Sequence, residues 1–181
     1  GLGKTFIGLI VIEPLIVHER KRVLLLVPKA ARIPVWERNI KKYLPHIGSG
    51  DFSSLVILNH TDLQRGGEYP LRIQRIKELA DVIVIDEARH LRNPGRVGAR
   101  AEVLDLPNRG GKKGYIPGET DKPPSRYWRL YEIAEGKQFF MRTATPINNA
   151  LLDFKHMIEL FTRRQPDYFK DAPLNIHSLD G

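Results

Sequence analysis

Two stretches of this chain carry residue types whose spacing could do chemistry. Asp86 and Glu87 follow directly on the apolar, β-branched run Val82-Ile83-Val84-Ile85. Such a run reads as a fully buried parallel strand, and its carboxyl end is the edge where ligands of open α/β sheets collect. At that edge Asp86 could hold Mg²⁺ while Glu87 positions or deprotonates a water. An acidic surface turn is the plainer alternative. The second stretch, Gly1-Leu2-Gly3-Lys4-Thr5, stands before an apolar, helix-capable segment. A phosphate-binding loop needs backbone N–H groups at a helix N-terminus, a lysine for the β- and γ-phosphates and a hydroxyl for the metal. Lys4 and Thr5 supply the last two. The full pattern also asks for a glycine upstream of Gly1, so the chain is expected to be a piece of a longer protein. Together the two stretches make the pairing that phosphoryl transfer requires.

The elements that must position these residues can be read in chain order. Phe6 to Ile16 is apolar and is expected to be a helix packed on a sheet, kinked or ended by Pro14. After the charged turn His18 to Arg22, Val23 to Val27 reads as a buried strand closed by Pro28. Ile33, Trp36, Ile40 and Leu44 recur at spacings of three and four, which predicts one amphipathic helix over 30–44. Leu55 to Leu58 is a further strand, with Asn59, His60 and Thr61 at its exit. His60 is expected to be a satisfied polar group there. Leu71 to Leu79 reads as a helix leading into the acidic strand, and the alternation of strand and helix is that of βαβ units with a parallel sheet. Residues 107–125 interrupt the rhythm with glycine, proline and lysine and are expected to form a basic surface loop. A helix over Tyr127 to Glu135 and a strand over Gln138 to Met141 follow. A last helix carries Leu151, Phe154, Met157, Ile158 and Phe161 on one face, with Asn148 or Asn149 as its cap. Beyond Thr162 the composition loosens and fraying is expected.

Composition narrows the class. The 181 residues are enough for a proper core, and 41% hydrophobic with 28% charged residues reads as globular and soluble. The absence of cysteine excludes disulfides and thiolate metal sites and fits a reducing compartment. No secretory signal is visible, and the longest apolar stretch, Phe6 to Val17, is too short to span a bilayer. The net charge of +8 favours a polyanionic partner such as nucleic acid, although a basic surface alone would give the same number. The six histidines show no metal-ligand spacing.

Four stretches in fixed order resemble the first motor lobe of superfamily-two helicases, specifically the Swi/Snf-like ATPases, and within these a bacterial branch. Gly1 to Thr5 is similar to the phosphate-loop motif, and Leu26-Val27-Pro28 with Trp36 to the motif that faces nucleic acid. Asp86 to Asn93 resembles the Asp-Glu-Ala-His box and its Leu-Lys-Asn tail. Thr143-Ala144-Thr145-Pro146 with Ile147, Asn148 and Asn149 resembles the Thr-Gly-Thr-Pro motif, which relays nucleotide state to the DNA site. The resemblance covers nearly the whole chain, with two departures. Arg89 stands where the box usually has histidine, which leaves His90 to contact the Thr143/Thr145 motif, and Ile7 replaces a commonly polar residue.

The resemblance implies an α/β, RecA-like P-loop NTPase domain of three layers with a mostly parallel central sheet. Residues 1–162 would form the lobe and 163–181 the start of a linker toward a second RecA-like lobe of the same parent chain. It implies ATP and Mg²⁺ as cofactors. Gly1, Gly3, Lys4 and Thr5 would bind nucleotide, Thr5 and Asp86 would hold the metal, and Glu87 with Lys4 would be catalytic. Arg89, His90, Thr143 and Thr145 would couple nucleotide state to the nucleic-acid site. Lys29, Trp36 and Thr61 are candidates for nucleic-acid contact, although Trp36 lies on the apolar face of its helix, where core packing is the more ordinary role. The implied activity is ATP hydrolysis coupled to movement along duplex DNA, in the cytoplasm or, alternatively, the nucleus. The arginine finger would sit in the second lobe and is worth roughly 10³ to 10⁵ in rate, so this chain alone is expected to turn over very slowly. An RNA helicase lobe of the same superfamily, or a nucleic-acid-binding module that has lost its motor, are the alternatives.

Overall fold

A computed structural model describes residues 2–48, 50, 53–91, 94–95, 124–143, 151–165 and 167–170. Its centre is a four-stranded parallel sheet of β1 (Val23–Val27), β2 (Leu55–Asn59), β3 (Val82–Asp86) and β4 (Gln138–Arg142), in the order β2-β1-β3-β4. Every residue of the first three strands is buried, which is why each reads as a continuous apolar run instead of an alternating one. Successive side chains still point to opposite faces. Val23, Leu25 and Val27 join a core with Leu9, Ile12 and Leu15 of α1 (Leu2–Val17) and with Trp36, Ile40 and Leu44. Leu24 and Leu26 join the opposite core, with Ile73 and Ile76 of α4 (Tyr69–Leu79), Leu130 and Ile133 of α5 (Arg126–Ile133) and Leu160 of α6 (Leu151–Thr162). The result is three layers, helix on sheet on helix.

Two elements differ from the reading of the sequence. α1 continues through Pro14 to Val17, and the Pro14 carbonyl accepts from the N–H groups of His18 and Glu19, closing the helix beyond the proline. The expected single helix over 30–44 is instead a short α2 (Lys29–Ala31), a π-helical segment (Arg32–Glu37) and α3 (Arg38–Tyr43). Pro34 has no N–H for an α-helical bond, and a π-bulge is one way for a helix to absorb that loss. The wider turn also shifts the phase of the face. Trp36, Ile40 and Leu44 point inward, whereas Ile33 is left 69% exposed.

Beyond Thr162, where fraying was expected, only residues 163–165 and 167–170 are described, and contacts hold several of these. Arg163 caps the Tyr131 carbonyl and lies over its ring, and Tyr168 and Phe169 pack edge-on against Phe161. Most of the basic loop 107–125, and the capping positions Asn148 and Asn149, lie outside the described residues. Ser125, at the loop's end, caps α5 by accepting from the Trp128 N–H. No helix among the described residues is long and apolar enough to cross a membrane.

Candidate functional site

Because all four strands run parallel and in register, their carboxyl ends lie along one edge. β1 aligns Val27 with Asn59 of β2, and β3 aligns Asp86 with Arg142 of β4. The N-terminus of α1 comes to the same edge, where Lys4 Nζ stands 3.8 Å from Glu87 Oε1. Lys4 is 43% exposed, and a pair of that exposure contributes no more than about 1 kcal/mol to stability. Folding energy is therefore a poor reason for the contact. Lys4 meets Glu87 at this edge, and Thr5, the next residue, is buried and lines a basic pocket with Arg38, Asn39, Lys42 and Tyr43.

Glu87 occupies an unusual backbone position. Its φ of 52° lies in the left-handed region, which costs a residue with a Cβ about 1–2 kcal/mol. The turn is held by the Glu87 carbonyl accepting from the His90 N–H at 3.1 Å. One oxygen of the Glu87 carboxylate faces Lys4. The other, Oε2, is buried and accepts no hydrogen bond, with Arg89 Nε in ion-pair range at 3.4 Å. Arg89 thus turns back on the acidic pair.

Asp86 is bound on both oxygens. Trp36 Nε1 donates to Oδ2 at 2.8 Å, and Arg142 donates to Oδ1 from Nη2 at 2.8 Å and from Nε at 3.3 Å. The Arg142 guanidinium also lies over the Trp36 ring at 5.2 Å. Trp36 has no exposed surface. That burial is the core packing weighed above as its more ordinary role. Gly8 of α1 makes this arrangement possible: a Cβ there would stand 2.4 Å from the Trp36 ring and 3.3 Å from Arg142 Nη1. The sequence reading did not single out Arg142 or Gly8. The only local signal for Arg142 was a charge ending an otherwise apolar strand.

At the exit of β2, Asn59 and Asp62 form a capping box, with the Asn59 N–H donating to Asp62 Oδ2 at 2.9 Å. His60 follows Asn59 and is 3% exposed; it hydrogen-bonds to the backbone, but its Nε2 has no partner, so the group expected to be satisfied is satisfied only in part. Burial pushes its pKa down to about 4, helped by the charge of His90, whose ring lies 5.6 Å away. Contacts with the backbone of Leu26 and Asp86 offset part of that shift. His90 therefore stands on the β2 side of the edge. Lys29 and Thr61 are exposed just past the ends of the adjacent strands β1 and β2. Thr143 follows β4 and is half-buried, while Gly1 and Thr145 lie outside the described residues. Among the described residues no three of His, Cys, Asp and Glu come together as a metal site.

The fold that carries this edge is α/β and RecA-like, with a parallel central sheet. No family model and no curated protein matches the chain. Among solved structures it is similar to the SWI2/SNF2 ATPase core of Sulfolobus solfataricus in complex with dsDNA, at 18% sequence identity and a TM-score of 0.55. The likeness covers 97% of this chain and 35% of that one, so the chain spans about a third of that protein's length. At this identity the shared property is the fold.

Proposed function

We propose that this chain is the ATP-binding lobe of a DNA-dependent ATPase of the Swi/Snf-like helicase superfamily, which hydrolyses ATP to move along or remodel duplex DNA together with a second RecA-like lobe. The observation that carries the reading is the meeting of Lys4 and Glu87 at 3.8 Å on the carboxyl edge of the sheet, beside Asp86. That edge is where the fold class collects its ligands.

The donors suit Mg²⁺ in kind. Thr5 and Asp86 would hold it with hard oxygens, and magnesium typically takes one or two carboxylates and completes its shell with phosphate oxygens and water. Once bound, the ion would neutralise charge on the phosphates. Lys4, whose ammonium is partly exposed, would stabilise the negative charge developing on the terminal phosphate. Glu87 would orient the attacking water and take its proton. Arg89, His90, Thr143 and Thr145 would relay the nucleotide state. Exposed Lys29 and Thr61, the net charge of +8 and the likeness to a core solved with dsDNA support duplex DNA as the partner. Contacts would go mainly to phosphates, because a motor that steps along any duplex cannot depend on base edges.

One observation favours a second reading, a nucleic-acid-binding module without a motor: both oxygens of Asp86 are already engaged by Trp36 and Arg142. Titration with a fluorescent ATP analogue and Mg²⁺ separates the two. The motor reading expects saturable binding that Lys4→Ala weakens by about tenfold or more, the equivalent of 1.4 kcal/mol. It also expects Glu87→Gln to keep binding while losing turnover in the longer parent protein. A chain that binds duplex DNA but no nucleotide would establish the second reading.

A further inference from the structure

Arg142 does something that a simple structural ion pair does not explain. Its Nη2 and Nε both address Asp86 Oδ1, while Nη1 is buried against Gly8 and makes no hydrogen bond. A guanidinium evolved only to tie β3 to β4 would be expected to use its planar fork on both carboxylate oxygens. Here the second oxygen is given to the indole of Trp36. The group also borders a cavity of ≈ 300 Å³ between α1 and the β3–β4 end of the sheet, lined by Ile7, Val11 and Phe140 among others. Room to move and an unused donor sit beside the one carboxylate assigned to the metal.

We propose that Arg142 is a built-in cation that pairs with Asp86 in competition with the divalent metal for that carboxylate and leaves it when magnesium nucleotide binds. The inference rests on the nucleotide reading above. Its physical basis is that a guanidinium and a divalent cation repel each other across one partly buried carboxylate, so that pairing with one weakens pairing with the other. Without a cap, Asp86 would be a desolvated charge with only the indole N–H for company, which is costly. With a permanent cap it would hold the metal less tightly. Trp36 touches both partners, donating to Asp86 and lying under Arg142, and is therefore a reporter of the exchange.

The experiment measures affinity for a fluorescent ATP analogue with Mg²⁺ and, separately, with EDTA, in the natural chain and in Arg142→Met. Arg142→Met should tighten the magnesium complex by about tenfold, the equivalent of 1.4 kcal/mol, and should not tighten metal-free binding. Arg142→Lys, which keeps the charge and loses the fork, should fall between. In a Trp128→Phe background Trp36 is the remaining tryptophan, since the chain has two. Saturating magnesium with unlabelled ATP should then change its emission, and this measurement does not depend on an altered Arg142 folding well. Unchanged or weakened magnesium-nucleotide binding in a folded Arg142→Met, or a Trp36 emission that does not move at saturation, overturns the proposal. Binding that disappears in Lys4→Ala but is untouched by Arg142→Met removes only the role of Arg142. A natural chain that binds no nucleotide removes the underlying reading and this proposal together.

Discussion

The strain at Glu87 gives the most direct test of the site's construction. Glu87→Ala and Glu87→Gly both remove the carboxylate and its ion pairs with Lys4 and Arg89, so those losses cancel when the two variants are compared. What remains is a Cβ at φ 52°. Its presence in the left-handed region costs about 1–2 kcal/mol. Against that, glycine gives the unfolded chain extra freedom that opposes folding by about 0.4–1 kcal/mol. Subtracting leaves glycine the more stable of the two by about 0–1.6 kcal/mol, centred near about 0.8 kcal/mol. In a domain of this length each kilocalorie moves the melting temperature by about 2–4 °C. Urea denaturation followed by far-ultraviolet circular dichroism, supported by thermal melts, reads the difference in midpoint at equal slope. If alanine exceeded glycine, the left-handed turn would not be a strained feature. The inference that the fold holds Glu87 in place at an energetic cost would then be wrong.

Three further outcomes are expected. Gly8→Ala should destabilise the chain by about 1–2 kcal/mol, because overpacking against the Trp36 ring outweighs the helix-propensity gain of about 1 kcal/mol. Gly3→Ala, where nothing lies within 4 Å, should be neutral or stabilising, and urea midpoints of the pair check both. Trp36→Phe removes a buried donor to Asp86 and should cost about 1.5–3 kcal/mol by the same measurement. For His60 the sign follows from its depressed pKa: the unfolded residue takes up a proton from about pH 6.5 downward, the folded one only near pH 4. Stability should therefore be full above pH 6.5 and fall through that window by up to about 3 kcal/mol, and His60→Gln should flatten the decline in denaturation midpoints between pH 7.5 and 4.5.

The first three strands were legible in the sequence because they are buried on both faces, whereas their order in the sheet was not. Val23 to Val27, Leu55 to Leu58 and Val82 to Ile85 carry no alternation to blur their limits, and β-branched residues with flanking proline or acid mark the ends. Helix existence was legible as well, from spacing. The π-helical turn at Pro34 was not, since the heptad-like recurrence of Ile33, Trp36, Ile40 and Leu44 assumes a constant pitch. Only packing reveals that Ile33 falls outside it.

The chemistry of the edge divides in the same way. The sequence alone marked Lys4, Thr5, Asp86 and Glu87 as candidates for handling phosphate and metal, because their neighbours along the chain single them out. It could not determine who stands next to Asp86. Trp36 lies 50 positions away and Arg142 lies 56, and each arrives by a tertiary accident of register or phase. The parallel pairing of β3 with β4 sets Arg142 opposite Asp86, and the absence of a Cβ at Gly8 lets the indole lie close to α1 beside both. Local sequence fixes a residue's chemistry and its element, whereas contact between distant residues depends on strand register and helix phase, which only the packed fold sets.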